Sequence, residues 1–194
     1  MVTSRESMLC KLEKLKYKLP EQIDGNRIYV VGSKDELIKQ VAITEKENLE
    51  LKNFWLVLEY LTIPSAFVNI PKKYIVANNY IYLLPYDQAM CILLHEVGHT
   101  KKVVIDSKKF KRRLIRQICK QMRNISTWSL EAMCDECLAD LYAIKICGYD
   151  TYMEFAKTLI SMWLCYNETN SYIEIRRNIF KNMESINMKQ LIFS

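Results

Sequence analysis

Glycine, proline and histidine are all scarce in this chain of 194 residues, which contains four glycines, four prolines and two histidines. Three of the prolines, Pro64, Pro71 and Pro85, fall between residues 64 and 85. Because glycine and proline mark turns, their scarcity elsewhere predicts a mainly helical protein with one turn-rich central part. Half of the residues are apolar and 26% are charged, a composition that excludes a disordered chain or a fibrous repeat.

Long apolar runs are also missing. The runs at 54–58 and 89–94 fall far short of the roughly 18 residues that a membrane-spanning helix needs. The N-terminal segment has no apolar core of a signal peptide, because it is interrupted by the charged residues Arg5, Glu6, Lys11, Glu13, Lys14, Lys16 and Lys18. We therefore expect a soluble, cytoplasmic protein that does not interact with a membrane.

A regular cysteine pattern is the third absence. The seven cysteines are odd in number and irregularly spaced, which is typical of reduced thiols in a cytosolic protein and not of a disulfide framework. Cys134 and Cys137 have the spacing of a zinc-binding pair, but no second pair accompanies them at a suitable distance. We therefore expect both to be core or flanking residues of a helix and not a structural zinc site.

Short β-rich runs in the centre of the chain, flanked by helical patterns, predict an α+β fold that is mainly helical with a small antiparallel β-sheet. The hairpin turn is placed at Asn78-Asn79, because asparagine tolerates positive φ, and the expected strands are 27–31, 66–70, 74–77 and 80–84. Asp87 is the expected N-cap of the helix that follows. The expected helices are 1–19, 34–43, 48–61, 87–101, 106–124, 127–147, 150–166 and 171–185.

Both histidines of the chain lie in one short motif, His95-Glu96-Val97-Gly98-His99. On a helix, two imidazoles four residues apart project from the same face and can bind one Zn²⁺, with Glu96 beside them as a general base. The apolar run at 89–94 indicates that this helix is buried, where unpaired polar side chains would be costly. Gly98 is unfavourable inside a helix and suggests that another helix packs closely there.

Catalytic zinc usually has three protein ligands and one open position, and no third histidine exists. The helical segment at 130–143 offers two Glu-x-x-x-Asp pairs, Glu131 with Asp135 and Glu136 with Asp140. One helical turn places both carboxylates of a pair on the same face, so the first can bind a metal while the second orients a ligating imidazole. From these residues alone, either pair could supply the third ligand.

The region 74–149 resembles the gluzincin metallopeptidases, in which a glutamate on a second helix completes the zinc site. The run Glu136-Cys-Leu-Ala139-Asp140-Leu-Tyr-Ala143 is similar to the Glu-x-x-Ala-Asp-x-x-Ala form of small intracellular and phage-type members. The resemblance implies Glu136 as the third zinc ligand and Asp140 as the partner of a ligating histidine. It implies one zincin-like, minigluzincin-like domain over 1–194, with the catalytic core at about 66–150 and helical extensions at both ends. Unlike CAAX proteases the chain lacks membrane helices, and unlike the repressor-cleaving peptidases it has Asp140 in place of Asn.

The activity that this resemblance implies is zinc-dependent endopeptidase chemistry on a protein or peptide, although a His-His-carboxylate set also suits Fe(II) or Mn(II). A neutral phenol could stabilise the developing oxyanion, and the candidates are Tyr142, Tyr149 and Tyr152, of which we choose Tyr149. The predicted strand at 80–84 leads into the zinc-binding helix and is expected to form the rim along which an extended substrate lies.

The segment 101–123 contains ten lysines or arginines against the single acidic residue Asp106. It is either a solvated helix face or a surface that attracts an acidic partner or nucleic acid. Two alternatives to the endopeptidase function described above therefore stay open. One is a non-catalytic zinc-containing binding protein that acts through this basic helix, and the other is a regulatory peptidase of a phage or mobile element.

Overall fold

The computed structural model describes residues 17–41, 43–44, 46, 51–52, 63–105, 108–122, 130–165, 171–183 and 191–193. The predicted helices at 1–19 and 48–61 lie mostly outside these described residues. In the described ranges the protein is mainly helical with a small four-stranded sheet, so the predicted α+β class is confirmed.

The main sheet contains, in chain order, β1 (Gln22–Ile23), β2 (Asn26–Val31), β3 (Ala66–Asn69) and β4 (Tyr74–Asn78), in the spatial order β1-β2-β4-β3. The pairs β1–β2 and β3–β4 are antiparallel, but β2 and β4 are parallel. The prediction of an antiparallel sheet is therefore wrong, and the sheet is mixed. The chain between β2 and β4 is long enough for the crossover that a parallel pair requires.

The β3–β4 hairpin confirms the strands predicted at 66–70 and 74–77, but the predicted turn at Asn78-Asn79 and the strand at 80–84 are wrong. Residues Asn79–Leu83 form a 3₁₀ helix. The Asn78 side chain accepts from the Ser65 N–H at 3.1 Å and donates to the Ile63 carbonyl at 2.8 Å, so it ties the end of β4 to the chain before β3. Consecutive burial of Tyr80 and Ile81 fits a helical turn better than a half-exposed strand.

Six α-helices in the described residues agree with predicted helices to within a few residues at each end. The predicted N-cap, Asp87, is wrong, because this residue lies in the first turn of the second helix. The helix begins at Tyr86 after Pro85, whose carbonyl accepts from the Ala89 N–H at 2.9 Å. The six helices are α1 (Lys34–Gln40), α2 (Tyr86–Gly98), α3 (Lys108–Met122), α4 (Leu130–Cys147), α5 (Tyr149–Leu164) and α6 (Ser171–Lys181). Two further short strands, β5 (Val103–Ile105) and β6 (Leu191–Phe193), pair antiparallel.

The central strand β4 is buried along its whole length and separates two apolar clusters. Ile75 and Ala77 belong to the larger cluster, which includes the helices, whereas Tyr74 and Val76 belong to a smaller one with Leu37 of α1. This alternation is the period of two expected for a strand with apolar groups on both faces. No helix in the described part of the chain combines the length and apolarity needed to cross a bilayer.

Helices α2 and α4 make the closest helix contact that bears on the site. A Cβ added at Gly98 would lie 2.7 Å from both the Cα and the carbonyl oxygen of Ala139. Backbone atoms cannot move aside as the end of a flexible side chain can, so this approach requires glycine. The close packing expected at Gly98 is therefore present, and it brings the histidine motif of α2 against the carboxylates of α4.

Candidate metal centre

Three potential ligands converge at one point: His95 of α2, His99 at the C-terminal cap of α2, and Glu136 of α4. The two Nε2 atoms of the histidines are 3.1 Å apart. Glu136 Oε2 lies 3.4 Å from His95 Nε2, and Glu136 Oε1 lies 3.6 Å from His99 Nε2. Ligands about 2.0–2.1 Å from a tetrahedral zinc ion are about 3.3 Å from one another. The two Glu136 distances involve different oxygens, and with one ligand atom from each residue the three atoms lie within 4.8 Å of one another, close enough to share one ion.

Asp140 fixes the orientation of one of the two imidazoles. Its carboxyl group is 1% exposed, and its Oδ1 accepts a hydrogen bond from His95 Nδ1 at 2.7 Å. Because a carboxylate can only accept, Nδ1 carries a proton, and Nε2, which lies towards His99 and Glu136, is the nitrogen that would bind a metal once it has lost its own proton. This is the tautomer that a metal ligand needs. Although burial acts to lower the pKa of His95, the charge and hydrogen bond of Asp140 raise it to about 10.

Glu96 lies beside the three ligands and lines the same cleft. Burial raises its pKa to about 7, helped by the charge of Glu136 and opposed by His95 and by a hydrogen bond from the Val68 backbone. Burial also lowers the pKa of His99 to about 4. Burial opposes ionisation of Glu136, yet the hydrogen bond with His95 and the charge of Arg176 lower its pKa to about 2.

Arg176 of α6 is a component of the site that the sequence analysis missed. Its guanidinium, with the side chain 13% exposed, pairs with Glu136 Oε2 through Nη1 and with Asp140 Oδ2 through Nε at 3.2 Å. A weak signal was present in the sequence, because the isoleucines at 173 and 179, three residues to either side, mark an apolar face of the helix that Arg176 shares. Both isoleucines are buried in the structure.

The site opens into a cleft of about 430 Å³ between β3, α2, α4, α5 and α6. One wall is β3, the edge strand of the sheet, and not the 80–84 segment predicted to form the rim. The opposite wall is apolar and is built by Phe155, Leu159, Trp163 and Ile173. A second cavity, of about 490 Å³, shares Val68 and His99 with the cleft, so open space borders the site on both sides of His99.

The structure does not bring the predicted tyrosines into the cleft. The Tyr149 hydroxyl donates to the Phe180 carbonyl at 3.4 Å, and the Tyr142 hydroxyl donates to Asp24. Tyr152 is 2% exposed and packs edge-on against Phe155 and Phe180. The cationic group that faces the cleft is Arg176.

The competing metal sites considered in the sequence are not assembled in the described part of the chain. Glu131 and Asp135 are exposed, so Glu136 and Asp140 are the pair that turns towards the histidines. Cys137 is buried and Cys134 is half-buried, and no cluster of three potential ligands includes either thiol among the described residues.

The fold and site thus define a mainly helical α+β protein with a His-His-Glu group that could hold a metal ion. Comparisons with protein-family models, with curated proteins and with solved structures found no match for this chain.

Proposed function

We propose that this chain is a zinc-dependent metalloendopeptidase of the gluzincin type. The observation that carries the proposal is the convergence of His95, His99 and Glu136, whose ligand atoms lie close enough to share one ion, in a cleft that also contains Glu96. Two histidines, a carboxylate and an adjacent unligated glutamate are the parts that metal-assisted hydrolysis requires.

His95, His99 and Glu136 would hold the ion, and Asp140 would orient His95. Bound zinc would polarise the scissile carbonyl and lower the pKa of a water molecule. Zinc is preferred to Fe(II) or Mn(II) because of the resemblance to gluzincins, since the donor set suits all three.

Glu96 would be the general base. Its carboxylate would accept a proton from the attacking water and deliver it to the nitrogen of the leaving amine. Burial raises the pKa of this carboxyl group, which makes its carboxylate a stronger base for the first of these steps. The hydrogen bond from the Val68 backbone holds the carboxyl group at the edge of β3.

Arg176 takes the place that the sequence analysis gave to Tyr149. A guanidinium has five N–H donors, and the contacts with Glu136 and Asp140 occupy Nη1 and Nε. Because Arg176 lines the cleft, its other donors would be available to a carbonyl oxygen bound there and would stabilise the negative charge that develops on it.

The position of β3 supports cleavage within a peptide chain. Among the described residues the strand pairs with β4 along one edge and with no strand along the other, so this second edge could pair with an extended peptide. Open space on both sides of His99 gives room for residues before and after the scissile bond, which an endopeptidase needs.

The decisive experiment measures the metal content of the wild type and of His95→Ala, Glu136→Gln and Glu96→Gln, each purified without added metal. We expect about one zinc per chain in the wild type and in Glu96→Gln, and loss of zinc in the other two. Zinc retained in Glu136→Gln would refute the assigned third ligand, and no zinc in the wild type after loading would refute the site.

Peptide cleavage then separates an enzyme from a non-catalytic zinc protein. A library of peptides with a fluorophore and a quencher should be cut by the zinc-loaded wild type, and Glu96→Gln should be slower by about 10²–10⁴-fold. Equal rates in both proteins at full zinc occupancy would favour the alternative of a binding or regulatory protein.

A further inference from the structure

Helix α3 accounts for the whole positive charge excess of the chain. The chain has 28 basic and 22 acidic residues, and α3 contains seven of the basic residues and none of the acidic ones. The other 179 residues therefore have 21 basic against 22 acidic side chains and are close to neutral. The protein is basic because of one helix, and not because its surface is basic throughout.

Six of the seven charges share one side of α3. At about 100° per residue they fall within an arc of about 140°; they are Lys108, Lys109, Arg112, Arg113, Arg116 and Lys120, all exposed. The opposite side carries Phe110, Leu114 and Ile118, which are buried and attach the helix to the rest of the protein. The charged arc therefore faces solvent.

Little neutralises this arc within the described part of the chain. Arg113 has a partner, the Asn182 carbonyl, to which it donates at 2.9 Å. The other five cations of the arc form no ion pair with an acidic residue in the described part of the chain. The arc also lies apart from the cleft, because no residue of α3 lines it. A ligand of α3 would thus be a docking partner and not the segment that is cleaved.

We propose that the exposed arc of α3 binds the phosphate backbone of duplex DNA without reading its sequence. Residues 108, 112, 116 and 120 recur at about 6 Å intervals over about 18 Å of helix, and a row of cations of this length can lie beside several of the closely spaced phosphates of a duplex. A helix can enter the major groove of B-DNA, where cations on both sides of the arc reach phosphates. The deep, narrow major groove of duplex RNA does not admit it.

Other polyanions fit this surface less well. Single strands are held by aromatic side chains on which the bases stack, and the exposed residues of α3 include no aromatic side chain. Helices that lie in a membrane surface insert their apolar face into the lipid, whereas the apolar face of α3 is buried in the protein. Binding to the phosphate backbone of duplex DNA requires only the charged arc.

Fluorescence anisotropy with a labelled 20-base-pair DNA duplex, at several salt concentrations, tests the proposal. We expect binding at 50 mM salt whose affinity falls steeply with salt, with a logarithmic slope of about −4 to −5 for five phosphate contacts. The triple variant Arg112→Gln, Arg116→Gln, Lys120→Gln should bind about 100-fold more weakly and reduce the magnitude of the slope by about 3.

A matched control removes three exposed lysines from other elements, Lys18→Gln, Lys39→Gln and Lys157→Gln, and should bind DNA nearly as the wild type does. His95→Ala, which disrupts only the metal centre, should also bind DNA normally, so failure of the proposed peptidase would not affect this result. No binding of the wild type at 50 mM salt, an equal loss in both triple variants, or tighter binding to a 20-base-pair RNA duplex or to phosphatidylserine vesicles would overturn the proposal.

Discussion

The charges around His95 and the charges of α3 are stabilised in opposite ways. At the metal centre, Asp140 and Arg176 are largely buried, and ion pairs join them to one another and to His95 and Glu136. On α3, six cations are exposed, and five of them, all except Arg113, form no ion pair with an acidic residue in the described part of the chain. Burial makes an unpaired charge expensive, whereas water makes it cheap. A single substitution of a charged residue should therefore have a large effect on stability at the metal centre and a small one on α3.

Removal of Arg176 should produce the largest loss of stability. Arg176→Met would leave Glu136 and Asp140 without their buried counter-ion, and breaking a buried pair in this way costs about 3–5 kcal/mol. Chemical unfolding of the metal-free protein measures this loss. Zinc should recover part of it, because a dication supplies positive charge at the same carboxylates.

The neighbouring Arg177→Met is the matched control, because Arg177 is also partly buried on α6 but has no contact with the ligands. It should lose much less stability than Arg176→Met. Equal losses would mean that Arg176 contributes only through general packing, and the contrast between the two regions would then fail.

Gly98→Ala tests whether the dense packing of α2 on α4 is needed to bring the ligands together. In an exposed helix this change would stabilise the protein by about 1 kcal/mol. Here the added methyl group would meet the backbone of Ala139 at 2.7 Å, so we expect a loss of about 2–3 kcal/mol and weaker zinc binding. Thermal unfolding and zinc titration would reveal both effects, and a gain in stability would contradict the observed contact.

The metal motif was readable from sequence because its geometry is local. His95, Glu96 and His99 lie within one helical turn, as do Glu136 and Asp140, and helical periodicity fixes which side chains share a face. The choice of Glu136 over Glu131 depended on the resemblance to gluzincins. The structure now gives a physical reason, since Glu131 lies on the exposed side of α4.

The cleft around the motif was not readable, because it depends on contacts between distant segments. Arg176 reaches Glu136 across 40 positions of the chain, and only the docking of α6 brings them together. The 80–84 segment has the tyrosines and isoleucine typical of a strand, but the bonds of Asn78 and the burial of Tyr80 override that preference. The parallel pairing of β2 and β4 likewise depends on a crossover that no local pattern specifies.

Asp140→Asn should have an intermediate effect, because an amide oxygen can still accept from His95 Nδ1 but lacks the negative charge. Changes to partners of this kind typically weaken metal binding by about 10–100-fold. Competition with a zinc-binding chelator dye would measure this loss. Asp135→Asn, on the same helix but exposed, is the matched control and should bind zinc as the wild type does. If the two variants bind zinc equally well, Asp140 does not position the ligand.

The smallest effect is expected for Arg116→Gln on α3. An exposed side chain without a recorded ion pair in the described part of the chain should change the free energy of unfolding by less than about 0.5 kcal/mol. It should also leave zinc content unchanged, because α3 does not line the cleft. Its effect should appear in DNA binding alone, where the magnitude of the salt slope should fall by about 1. The opposite result would be a loss of unfolding free energy in Arg116→Gln as large as the loss of zinc-binding free energy in Asp140→Asn. The charges of α3 would then be structural, and the separation between a buried chemical centre and an exposed docking surface would not hold.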